Sequence, residues 1–239
     1  MAMGPERGYL NTARTDVGQI DVGLRRYMLS VYNYMAGGLA VSGLIAYLVA
    51  SSPTVLRAVW GSGLMWVVVL APVALVFFFS FRIQKMSFGA AQLTYWAYAA
   101  LNGVSLSFIF IAYTQTSIAR VFFITAATFA AMSLYGYTTR RDLSAFGSFL
   151  MMGVIGIIVA MLVNIFLQSS ALTFAISVIG VLVFVGLTAY DTQKIKEWYV
   201  ASDDGATMGK KAIFGALNLY LDFINLFLML LRLFGSSRS

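Results

Sequence analysis

Seven stretches of about 20 or more mostly apolar residues recur along this chain, and few charges interrupt them. That is the length an α-helix needs to cross a lipid bilayer. In hydrocarbon every backbone N–H and C=O must be satisfied internally, which leaves a helix bundle or a closed barrel. Barrel strands alternate apolar and polar residues over about ten positions, whereas these runs are continuous and roughly twice as long. The sequence therefore predicts an all-α membrane protein with spans over 27–50, 59–81, 88–113, 118–138, 143–168, 171–192 and 212–234. Short connections make neighbours in sequence antiparallel neighbours in space. Residues 1–26 are polar and mixed in charge, without the early apolar core of a cleavable signal peptide, and are expected to form a cytosolic tail. Residues 27–234 then make the transmembrane domain and 235–239 a short C-terminal tail.

Charged residues make up 10% of the chain, against about 25% in soluble domains. There is no cysteine and no histidine. Disulfides, thiolate chemistry, the usual zinc ligands and the usual general base are thereby excluded. Proton chemistry falls to carboxylates, tyrosine or lysine. The net charge of +7 follows topology rather than nucleic acid, because the basic residues sit between apolar runs. Twelve Lys and Arg lie in the N-terminal tail and in the connections after spans two, four and six, against four on the other side. The positive-inside rule predicts a cytosolic N-terminus and an external C-terminus, which requires an odd number of spans.

Two aspartates stand in apolar surroundings. Asp191 ends span six, and Asp222 lies near the middle of span seven. An aspartate at the centre of a membrane helix costs about 2.5–3.5 kcal/mol on insertion scales, so such residues face the protein interior and mark ion or proton paths. Gly215, Asn218, Asp222 and Asn225 recur at three- and four-residue spacing and share one face of span seven. Thr188, Asp191 and Thr192 cluster in span six, and Asn102 with Ser105 in span three. The plain alternatives are an Asp191 paired with Lys194 or simply hydrated, an Asp222 locked by asparagine hydrogen bonds, and interhelical hydrogen bonding by the asparagines. Tyr190 and Tyr220 are expected to serve packing and the interface. Gly37-Gly38 and Gly153-x-x-Gly156 are small positions where helices approach closely.

Tyr190-Asp191-Thr192-Gln193-Lys194-Ile195 resembles the penultimate-helix motif of the Bax inhibitor-1 family. The stretch from Ala216 to Phe227 is similar to its last-helix motif, and Arg140-Arg141-Asp142-Leu143-Ser144 resembles the pattern after helix four. The likeness covers about residues 20–235. It implies six helices wrapped around a central seventh, a bacterial inner-membrane location and a pH-gated cation leak, usually of calcium. The family's pH-sensing aspartate pair falls on Asp191 and Asp222. A basic latch near the end of helix two is also implied; Arg82 and Lys85 both lie there, and the sequence does not choose between them. Helix two carries no acidic residue, so an acidic partner on it is absent.

Physics reaches a similar site. Two nearby carboxylates in low dielectric cannot both ionise cheaply and so share a proton. Calcium prefers six to eight oxygens. The aspartates with Asn218, Asn225 and water offer a weak, partial shell, which suits passage better than storage. No cofactor is expected beyond calcium or a proton as ligand. An enzyme is not expected: intramembrane aspartyl proteases need Gly-x-Gly-Asp, and here Leu219-Tyr220-Leu221 precede Asp222. A retinal pigment needs a lysine deep in the last helix, where this chain has Asp222. The main rival is an interaction protein without transport. The resemblance implies a membrane-anchored ATP-dependent protease as its partner, with the N-terminal tail as contact.

Overall fold

The computed structural model of the protein describes the backbone of residues 6–238 and the side chains of residues 22–238. Among the described residues it contains the helices α1 (Glu6–Ser51), α2 (Pro53–Trp60), α3 (Leu64–Arg82), α4 (Phe88–Leu106), α5 (Ile109–Ala112), α6 (Gln115–Thr138), α7 (Ser144–Leu167), α8 (Ser170–Glu197) and α9 (Gly205–Phe234). Seven segments are long and apolar enough to cross a membrane, and they follow the seven predicted spans in order.

The boundaries differ in instructive ways. The first helix is described from Glu6, so residues 6–26, read as the cytosolic tail, are helical; residues 1–5 and 239 lie outside the described residues. No proline follows Pro5 until Pro53, and nothing in between stops helical propagation. The eighth helix runs on to Glu197, so Asp191 lies inside it and not at its end. Its last turn carries Lys194 and Lys196, charges that suit the negative end of the helix dipole. Lys196 reaches back to donate to the Tyr137 carbonyl at 2.9 Å.

Caps explain why the connections stay short. Ser87, Thr114, Ser169 and Asp204 each accept the N–H three residues on, at the starts of α4, α6, α8 and α9. Asp142 accepts the Ser144 N–H at 2.8 Å at the start of α7, as its position before span five suggested.

The last helix occupies the centre. Of its most apolar stretch 67% is buried, against 11% in the spans of α3 and α7. α1, α4, α6 and α8 pack along it, while α3 backs onto α4 and α7 onto α8. The outer face of α7 exposes Phe146, Phe149, Ile155, Leu162 and Phe166. So large an apolar belt suits hydrocarbon and not water.

Small residues set the tightest crossings. A methyl on Gly103 would sit 2.7 Å from the Ser42 carbonyl oxygen, and one on Gly136 would strike the Ala189 backbone. Gly37, Gly38 and Gly153 also face neighbouring side chains, whereas Gly156 meets nothing. Residues 235–238, in the short C-terminal tail, bond to the α5–α6 connection. Thr114 N–H donates to Ser236 O at 3.1 Å, Arg238 N–H to Ala112 O at 3.0 Å, and the Arg238 guanidinium to Phe110 O at 2.8 Å.

Candidate functional site

The register of α8 against α9 builds the site. Gly215 accommodates Ile195 and Gly180 accommodates Met229, so the two helices run antiparallel with position 188 facing Asp222. Asp191 is therefore about one turn, roughly 4.5 Å, out of level with Asp222. Side chains on a helix lean toward its N-terminus. On antiparallel helices that tilt moves these two side chains toward each other and closes the offset. The Asp191 and Asp222 carboxyls are neighbours across the α8–α9 seam.

Asp222 is 4% exposed, and its Oδ2 has no hydrogen-bond partner among the described residues. Asp191 is half-buried. Lys194 does not reach Asp191; it pairs with Glu197 at 3.6 Å, one turn along its own helix. The simple ion-pair alternative for Asp191 is therefore set aside.

The supporting residues divide into separate groups. Thr188 is buried and donates to Phe184 O at 2.8 Å. Thr192 donates to Thr188 O and meets Ser133, which in turn bonds the Tyr32 hydroxyl at 2.6 Å. That chain ties α1, α6 and α8 together beside Asp191. Asn218 is half-buried on α9. Asn225 spends its amide N–H on Leu221 O and lines a cavity of about 510 Å³ with Asn102, Ser105 and Tyr98. The single polar face read on span seven is thus shared between the aspartate site and this cavity. Arg82 and Lys85 are exposed, and neither forms an ion pair among the described residues. Nor do three or more Asp, Glu, His or Cys gather at one point among them.

Tyr220 was expected to fill space, yet it is the hub of a second buried network. Asn102 Nδ2 donates to its hydroxyl at 2.7 Å, and Ser42 Oγ lies 2.6 Å away. Ser42 and Ser133 carried no signal in the sequence beyond being hydroxyls in apolar runs.

The two motif regions also meet. Gln193 accepts the Leu143 N–H and donates to Arg141 O, both at 2.8 Å, which staples the α6–α7 turn to α8. The Tyr190 ring covers Gly147. The turn motif and the α8 motif are therefore two halves of one contact.

A bundle of seven apolar helices, with a carboxyl pair between its last two and its last helix at the centre, defines a polytopic membrane protein with a buried acidic site. The family model described as "Inhibitor of apoptosis-promoting Bax1" matches residues 24–239. The inner membrane protein YbhL of Escherichia coli K12 is 50% identical over 219 residues, covering 90% of this chain and 94% of its own. Proteins of Rickettsia prowazekii and Caulobacter vibrioides are 49% and 47% identical over 218 and 244 residues, covering 91% and 97% of this chain and 92% and 98% of their own. This chain belongs to the Bax inhibitor-1 family.

Proposed function

We propose that this protein is an inner-membrane, pH-sensitive cation leak, with calcium as the permeant ion and Asp191–Asp222 as its gate. The observation that carries the reading is the buried Asp222 carboxyl, its Oδ2 without a partner among the described residues, with Asp191 as its neighbour on the next helix. A buried carboxyl pair with spare acceptor capacity is a place where a proton and a cation compete. With few ligands of its own the pair holds a cation weakly, which favours passage. Because α9 is the central helix, the charge state of Asp222 bears on how that helix seats against α8. The twelve-to-four split of basic residues orients the chain with its N-terminus in the cytosol and its C-terminus outside. The E. coli relative's name supports the inner membrane as the location.

The test is calcium influx into proteoliposomes of the purified protein from about pH 5 to 8, beside Asp191→Asn and Asp222→Asn. The expected result is a pH-dependent influx whose profile each substitution flattens or moves. Influx no greater than in empty liposomes, or profiles unchanged in both variants, refutes the proposal.

A further inference from the structure

Where the end of α3 approaches the α8–α9 corner there is a cavity of about 560 Å³, lined in part by Ile83, Gln84, Trp198, Lys210, Lys211 and Phe214. Its inner wall is aromatic. Trp198 stacks on Phe214 with ring centroids 5.6 Å apart, and Phe79 lies behind Phe214 at 6.5 Å. Its rim is basic. Lys211 is engaged, to Asp203 at 2.6 Å and to Trp198 O at 2.9 Å. Lys210 makes only a 3.4 Å contact to Gln84 O. Arg82 and Lys85 flank Ile83 and Gln84 in the chain, and both are exposed. The nearby carboxylates are occupied: Asp203 by Lys211, Glu197 by Lys194, and Asp204 by its cap on Thr207 N. Five cations, Arg82, Lys85, Lys194, Lys210 and Lys211, thus stand against three carboxylates, and Lys210, Arg82 and Lys85 form no ion pair among the described residues.

We propose that this cavity binds an anionic phospholipid, its phosphate on Lys210 and its glycerol and upper acyl region against Ile83, Trp198 and Phe214, with Arg82 and Lys85, chain neighbours of the lining, adding positive charge nearby. Charge complementarity selects the occupant. A free phosphate would satisfy the lysine and leave the aromatic wall wet. A zwitterionic lipid would cover the wall and leave the excess positive charge unmet. An anionic lipid does both, and the cavity lies at the ends of the spans, where headgroups sit. Lipid binding here is independent of cation movement through the aspartate site.

Trp198 is the reporter. The full-length protein is reconstituted in phosphatidylcholine vesicles that carry a minor fraction of brominated phosphatidylglycerol or brominated phosphatidylcholine. Bromine quenches indole on contact, and subtracting the Trp198→Phe variant isolates the Trp198 signal. The expected result is stronger quenching of Trp198 by the brominated phosphatidylglycerol. Lys210→Gln should lower that preference about fivefold, the weight of one lysine near an anionic surface. Equal quenching by the two lipids in the wild type overturns the proposal. So does a preference unchanged in both Lys210→Gln and the Arg82→Gln/Lys85→Gln/Lys210→Gln variant. Relief of quenching by inorganic phosphate would assign the site to a free anion and also overturn it.

Discussion

Replacing Tyr220 with phenylalanine deletes one oxygen from the middle of the bundle. Proton counting fixes what that oxygen does. Ser42 has one hydroxyl proton and two carbonyls in reach, Ala99 O at 2.7 Å and Gly38 O at 3.0 Å; with the proton on the nearer of them, Ser42 accepts from Tyr220, and Tyr220 accepts from Asn102. The chain of donors runs from α4 through α9 to α1 and back to α4. Tyr220→Phe leaves the Asn102 amide and a Ser42 lone pair unmet. Each hydrogen bond is worth about 1 kcal/mol in soluble proteins, and about 0.6 on average, up to about 1.7, between membrane helices. Ser42 is 1% exposed, so nothing replaces the partner it loses, whereas Asn102 is half-buried at the cavity and can recover part of its bond from water. The expected destabilisation is about 2 kcal/mol. Asn102→Leu in the same background removes the orphaned donor, so the double variant should be more stable than the sum of the singles predicts by about 1 kcal/mol. Reversible unfolding in mixed micelles of the wild type, both singles and the double measures this cycle. A Tyr220→Phe protein within about 0.5 kcal/mol of wild type, or strict additivity, would refute the assigned network.

Gln193→Leu cuts both bonds between α8 and the α6–α7 turn, and should cost about 1–3 kcal/mol and speed amide exchange at Leu143, read by hydrogen-exchange mass spectrometry. Gly136→Ala forces a methyl against the Ala189 backbone, and should destabilise by about 1–3 kcal/mol in the same unfolding assay, whereas Gly156→Ala, which meets nothing, should not destabilise. The Asp204 carboxyl is held below the usual carboxylate range by its cap on Thr207, and Asp142 likewise by Ser144. A lowered folded pKa means stability that is present above about pH 3.9 and lost as pH falls through the folded value. Asp204→Asn keeps a capping oxygen without the titration, so the wild type's margin over it should shrink only below about pH 4 in a pH series of melting temperatures.

The tally between sequence and structure is uneven for physical reasons. Seven spans and their order follow from the sequence alone, because hydrocarbon makes length and charge decisive. The ends of the helices did not follow. Residues 6–26 and Lys194–Glu197 are polar yet helical, since outside the hydrocarbon nothing forces the helix to stop where the apolar run stops. Three-residue spacing placed Asn225 beside Asp222, but only the neighbouring helices show that Asn225 turns to the α3–α4 side.

What the sequence by itself determined was the solvent: a chain with these runs and so few charges must be a helix bundle in lipid. What tertiary structure alone decided was who meets whom. Tyr220 and Ser42 are 178 residues apart, and Ser133 and Thr192 are 59 apart; no local pattern links either pair. The placing of Asp191 beside Asp222 depends on a helix register set by Gly215 against Ile195 and Gly180 against Met229. Partners in a membrane bundle are chosen by close fit and hydrogen bonding between helices, because burial in protein offers apolar side chains little that lipid does not.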